Sequence, residues 1–269
     1  LSGLEPRGVP KGLINTAIPF HYNKIEELEN IIKNHDIGTI VMEPIRHQEP
    51  KNNFLKKVRA LADKNKIVLV FDEVSSGFRL RVGGAHALFG VFPDIAVYAK
   101  ALGNGYPIGA IVGRGEVMDA AQRSFISSTY WTERIGPAAA LAVIKKMQAK
   151  KVPEYLEKIG AMIGAGWKDL AKKHALNLSF EGPNCLVGLS FNYDDKQELK
   201  TLFTQEMLKR HFLAGPSVYV SLSHTPALVK KYLRAVDEVF AIIGCALKSG
   251  NVKSFLDGSV SHSSFERLT

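Results

Sequence analysis

Apolar positions along the chain alternate between two patterns. From Asn23 to Arg46, Ile25, Leu28, Ile31 and Ile32 recur at helical spacing among polar neighbours, and after Asp36 comes the continuous run Thr39-Ile40-Val41-Met42. The first pattern predicts an amphipathic helix and the second a buried strand. The pair then repeats: Phe54, Leu55, Val58 and Leu61 predict a helix through Asp63, and Ile67-Val68-Leu69-Val70-Phe71 a strand ending on Asp72. A third short run, Ile95 to Tyr98, leads at once into Lys100 and the turn-rich Gly103-Asn104-Gly105-Tyr106-Pro107, and Ile108 to Val112 reads as a fourth strand. Buried strands separated by helices predict an α/β fold with a mainly parallel sheet covered on both faces, in which polar residues just past strand ends gather in one crevice.

After Pro137 the run Ala138 to Ile144 is a strong helix former, and Pro153 marks a boundary. Beyond it the pattern predicts a helix over 153–173, strands over 176–180 and 186–191, a helix over 196–210, a strand near 218–220 and a last helix from Pro226 to about Leu247. Residues 1–150 therefore read as a large domain, 151–248 as a small α+β domain and 249–269, rich in Ser and Gly, as a mobile tail.

Composition narrows the class. With 46% hydrophobic and 23% charged residues among 269, the chain can bury a sizeable core. Two cysteines, Cys185 and Cys245, are too few for a disulfide framework and fit a reducing, cytoplasmic setting. The longest apolar runs are far short of the roughly 20 residues that a spanning helix needs, so no membrane partner is expected. The net charge of +9 is spread over pairs such as Lys56-Lys57, Lys145-Lys146 and Lys230-Lys231 on helical faces. Nucleic acid binding calls for clustered cations, so none is expected here, and an anionic cofactor or substrate is as natural a reason for the charge.

Two candidate chemical groups stand at strand ends: Asp72, in Asp72-Glu73-Val74-Ser75-Ser76-Gly77-Phe78-Arg79, and Lys100. An acid and a lysine so placed are either a structural ion pair or an acid/amine catalytic pair, and spacing alone leaves both open.

The surrounding residues decide more. Pro93-Asp94-Ile95-Ala96-Val97-Tyr98-Ala99-Lys100-Ala101-Leu102-Gly103-Asn104-Gly105-Tyr106-Pro107 resembles the lysine segment of the class III, fold-type I aminotransferases, which depend on pyridoxal 5′-phosphate. Asp72 to Arg79 resembles their cofactor-nitrogen motif, and Glu43-Pro44 their glutamate-proline strand end. These stand in the family's order, and the resemblance covers about residues 8–243, closest in flavour to the glutamate-1-semialdehyde 2,1-aminomutase-like members.

The resemblance implies a transaminase or aminomutase that moves an amino group to or within a carbonyl substrate. It makes Lys100 the Schiff-base residue and proton shuttle, and Asp72 the partner of the pyridine nitrogen. Val74 would pack on the ring, or simply fill a core position, and Ser75 would lie near the phenolic oxygen. A threonine reaching the phosphate from a neighbouring subunit implies a homodimer with the site at its interface. Thr129 and Thr132 are the candidates, and counting back from Pro137 favours Thr132. Glu43 is expected to contact the active-site edge or an arginine, or to cap a strand end, Arg79 to serve a structural ion pair, and His224 to order a helix start with Thr225 as N-cap. Gly103-Asn104-Gly105 reads as a tight turn.

A Gly/Ser-rich phosphate loop and a ring-stacking aromatic residue, both upstream in the family, are not found. The chain thus reads as the C-terminal portion of a longer enzyme, with the N-terminal part of the large domain absent. A catalytically silent interaction or scaffold protein on the same fold is the competing expectation. No metal site is expected. Only Val218-Tyr219-Val220 separate Pro216-Ser217 from Ser221, where the semialdehyde aminomutases carry a longer loop with an acidic residue. That shortening favours a sugar or other carbonyl substrate over the tetrapyrrole precursor.

Overall fold

The computed structural model describes residues 8–127 and 129–262. Two compact units emerge. One is Phe20–Lys158; the other holds the described residues from Ile159 onward together with those before Phe20. The division falls inside a helix, α5 of the numbering below, and not at residue 150.

In the first unit, helices α1 (Ile25–Asn34) and α2 (Phe54–Asn65) alternate with strands β1 (Thr39–Met42) and β2 (Val68–Asp72), followed by β3 (Ile95–Tyr98) and β4 (Ala110–Gly113). The sheet order is β1-β2-β3-β4, with β1, β2 and β3 parallel and β4 antiparallel to β3. A short α3 (Gly115–Met118) and a longer α4 (Ile135–Ala149) complete it.

Alternation along each strand sends Ile40, Met42, Leu69, Phe71, Ala96 and Tyr98 to one buried face. There Leu28 of α1 and Phe54, Leu55, Val58 and Ala62 of α2 join Ile40, Met42, Leu69 and Phe71 in one core. Each fully buried Leu, Ile, Val or Phe among them contributes about 1.5–3 kcal/mol. The other face is not buried to the same degree, which corrects the expectation of a sheet covered on both sides: Val41 is 62% exposed and Ile111 62%. The reason is topological. Parallel strands laid down successively in one direction, joined by right-handed crossovers, place all their connections on the same face.

The register of these strands is pinned by Asp94. Its Oδ2 accepts from the Leu69 amide at 2.8 Å and from Arg59 Nη1 at 2.9 Å, and its Oδ1 from Arg114 Nη1 at 3.2 Å. Burial pushes this carboxyl's pKa up, but the Leu69 amide and the two guanidinium groups outweigh it and hold the group below the usual aspartate range. Clamped at these points, Asp72 of β2 lies opposite Val97 of β3.

In the second unit, β5 (Leu178–Glu181), β6 (Leu186–Phe191) and β7 (Ser217–Tyr219) form an antiparallel sheet in that order. It packs with α5 (Val152–Lys173), whose greater part lies here, α6 (Lys196–Lys209) and α7 (Pro226–Ser249). The short link between Pro216 and Ser221 is the strand β7. Residues expected as a tail are anchored over 252–262: Val252 is buried, the Asp257 amide donates to Gln205 Oε1 at 2.7 Å, and Gln197 Nε2 donates to the Ser261 carbonyl at 2.8 Å. Residues 263–269 lie outside the described residues.

Candidate active site

At the end of β2 the chain makes one tight turn, closed by the Gly77 amide on the Glu73 carbonyl at 2.8 Å. Gly77 is required there. A Cβ would stand 2.7 Å from the Glu73 carbonyl oxygen and 2.7 Å from the Tyr98 ring. Asp72 is half-buried at the strand end, and its Oδ1 accepts from the Val74 amide at 2.9 Å, which orients the carboxylate. Val74 is likewise half-buried, while Ser75 and Ser76 are buried.

Glu73 has no exposed surface, and its carboxylate takes four hydrogen bonds. Ser76 Oγ donates at 2.6 Å and the Ala85 amide at 2.9 Å to Oε2, and the His86 amide and Nδ1 each approach Oε1 at 2.8 Å. Burial alone would raise its pKa, yet these bonds hold it below the usual glutamate range, so Glu73 is a carboxylate and His86 Nδ1 carries the proton between them. The neighbouring Tyr98 hydroxyl is pushed up to about 12 by burial and by the Glu73 charge.

Lys100 stands two residues past the end of β3, next to β2. Its backbone is left-handed, φ +46°, an uncommon and costly state for a residue with a Cβ. The Asn104 amide closes the following turn on the Lys100 carbonyl at 2.8 Å, and Asn104 and Gly105 also have positive φ, as a tight turn requires. This geometry aims Lys100 Nζ at Ser75 Oγ, 2.9 Å away. The fold thus brings an amine, a hydroxyl and a carboxylate to the ends of two neighbouring parallel strands.

The profile of one protein family, described as aminotransferase class III, matches residues 14–224. The chain belongs to the class III aminotransferases. It is 30% identical to a 3-aminobutyryl-CoA aminotransferase of Cloacimonas acidaminovorans, over 87% of this chain and 60% of that one. It is 32% identical to a glutamate-1-semialdehyde 2,1-aminomutase of Clostridium kluyveri, over 86% and 60%. Among solved structures, the PLP internal aldimine form of the FumI protein of a Sphingopyxis species superposes with a TM-score of 0.81 at 27% identity, covering 86% of this chain and 58% of that one. An omega-transaminase of Sphaerobacter thermophilus, at 20% identity and a TM-score of 0.79, shows the same fold. The chain spans about 60% of the length of the curated relatives it matches.

Set against class III expectations, the structure joins Lys100 to Ser75 and Val74 to Asp72. Thr129 and Thr132 lie exposed in the loop before α4. Glu43 pairs with Arg46 at 2.8 Å, the arginine contact being one of the alternatives read for it. Arg79 donates through Nη1 to the Ser75 carbonyl at 2.6 Å, steadying the same turn. In the second unit, Thr225 caps α7 by accepting from the Leu228 amide at 3.2 Å, and His224 Nδ1 accepts from the Ser221 amide at 3.0 Å. Both act at the helix start.

Two contributors escaped the sequence reading. Glu73 and His86 are one; the second is Glu133, whose carboxylate accepts from the Ile135 and Gly136 amides and so caps α4. A glutamate two or three residues before a helix's first amides was a readable signal for Glu133. Glu73 offered none, because its partners sit in a loop without periodicity. Among the described residues no cluster of His, Cys, Asp and Glu could hold a metal, and no helix is long and apolar enough to cross a membrane.

Proposed function

We propose that this chain carries the lysine-bearing part of a pyridoxal 5′-phosphate-dependent transaminase or 2,1-aminomutase, acting on a small amine and carbonyl substrate. The observation that carries the reading is the convergence of Lys100 Nζ, Ser75 Oγ and the Asp72 carboxylate at the ends of β2 and β3. The donor set suits the cofactor: a primary amine to meet an aldehyde, and an oriented carboxylate to keep a pyridine nitrogen protonated. When bound, the cofactor supplies an electron sink for a carbanion next to nitrogen.

Lys100 would hold the cofactor through Nζ and, with a substrate amine bound, would carry a proton to and from the substrate α-carbon. Asp72 would face the ring nitrogen through its Oδ2 edge, Oδ1 being taken by the Val74 amide. Val74, two residues further on and half-buried, would pack against the ring, and Ser75 would offer a hydroxyl to the phenolic oxygen. Thr132, with Thr129 as the neighbouring choice, reaches the phosphate of a second copy. The exposure of Phe125 at 99%, Tyr130 at 75% and Trp131 at 70% in this same loop supports a homodimer.

The test is to incubate the protein with pyridoxal 5′-phosphate, reduce with borohydride and map the modified peptide. A single adduct on Lys100, lost in Lys100→Ala, is expected. An adduct spread evenly over surface lysines overturns the proposal and leaves the silent-scaffold reading in its place.

A further inference from the structure

The sequence contains two adjacent serines after the Asp72-Glu73-Val74 triplet, and the fold uses them oppositely. Ser76 turns its hydroxyl to Glu73 at 2.6 Å, whereas Ser75 turns its hydroxyl to Lys100 at 2.9 Å. We infer that Glu73 is a positioning residue for Lys100: by capturing Ser76 and the 84–86 segment, its carboxylate fixes the turn in the one orientation that presents Ser75 Oγ to Nζ. The inference rests on the proposal that Lys100 is the reactive amine.

Four observations carry it. All four hydrogen bonds to Glu73 come from groups on either side of the turn, Ser76 within it and Ala85 and His86 beyond it, so the carboxylate spans the loop it stabilises. The Glu73 amide donates to the Val97 carbonyl at 2.9 Å, which extends the pairing of the β2 and β3 ends and ties the turn to the strand that bears Lys100. The turn cannot drift sideways, because Gly77 and Gly84 lie against the Tyr98 ring and hydroxyl with no room for a side chain. Finally, Ser75 is held from its other side by Arg79 on its carbonyl. A carboxylate in so enclosed a place is costly unless every oxygen is satisfied, and here every oxygen is.

The role is indirect, since the bonds of the Glu73 carboxylate go to Ser76, Ala85 and His86 and not to Lys100. Glu73→Gln keeps the shape but replaces an acceptor oxygen with a donor NH2, which must face two N–H or O–H donors. The turn then relaxes and Ser75 no longer meets Nζ. Losing the hydroxyl that accepts from Nζ frees the amine from its one held position, so an aldehyde from solution reaches it more readily.

The test needs no cofactor. The folded protein is treated with formaldehyde and cyanoborohydride, and the methylation rate of each lysine is read by peptide mass spectrometry, the surface lysines serving as internal references. Ser75→Ala is expected to raise the Lys100 rate roughly 3- to 10-fold, the worth of one hydrogen bond. Glu73→Gln is expected to raise it by the same factor, and the double variant by no more than either alone, because both act through one contact. A merely structural glutamate would lower stability and leave this coupling absent. Independent, multiplying effects, or an unchanged Lys100 rate in Glu73→Gln, overturn the inference. If Glu73→Gln does not fold, Ser76→Ala removes one of the four bonds and keeps the carboxylate; it must then raise the Lys100 rate in the same direction and lose that effect in the Ser75→Ala background. Because formaldehyde replaces pyridoxal phosphate, these results stand apart from the trapping experiment on Lys100.

Discussion

Glu73 links a buried charge to the pH at which the first unit holds together. Burial pushes its carboxyl up, and the bonds from His86, Ser76 and Ala85 pull it further down, below the ordinary value of 4.5. A carboxyl depressed by folding contributes stability that is fully present above its unfolded pKa and is lost as the pH falls through the lower folded one. The wild-type protein is therefore expected to lose stability in acid from that range downward. Glu73→Gln should be less stable at neutral pH by at least about 2 kcal/mol, since it strands buried donors, and should show a shallower acid slope. Urea midpoints measured from neutral pH into acid check both, and an unchanged slope would remove Glu73 from the acid response. At this scale the strand-end placement of Asp72 and Lys100 was legible, because each directly ends or closely trails a continuous apolar run. Ser75 was legible only as a neighbour of Asp72. The partnership of Glu73 with His86 was not, since it forms across a loop of 12 or 13 residues in which neither helix nor strand period operates.

Among elements, α7 has the most explicit start: Thr225 accepts from the Leu228 amide, Pro226 opens the first turn, and His224 braces the preceding bend through Ser221. Thr225→Ala is expected to cost about 1 kcal/mol, read as a lower urea midpoint with an unchanged slope, whereas Thr225→Ser should keep most of it. An alanine variant as stable as the wild type would show that the packing of Val236, Val239, Phe240 and Ile243, all wholly buried, holds the helix end without the cap. Most elements could be read within two residues of their ends, because their apolar periods are long and unbroken. The direction of β4 could not. Its antiparallel course depends on the left-handed residues Lys100, Asn104 and Gly105, which turn the chain back along β3, and on Arg114 reaching Asp94 at the far end.

For the whole molecule, the proposed homodimer makes a claim about assembly. If the loop bearing Phe125, Tyr130 and Trp131 lies between two copies, sedimentation across micromolar concentrations should give a dimer, and Phe125→Ser with Trp131→Ser should shift it to monomer without loss of secondary structure. A wild-type chain that stays monomeric throughout would count against a shared site. By itself the sequence determined the class of fold, the order of strands and helices, and the two strand ends that carry an acid and an amine. All of these depend on residues close together along the chain, where periodicity and turn chemistry act. Only the tertiary structure decided which sheet face is buried, how β4 runs, and that Ser75 rather than Ser76 meets Lys100. Those outcomes depend on crossover handedness, on strand pairing and on one enclosed carboxylate whose partners lie on both sides of a loop.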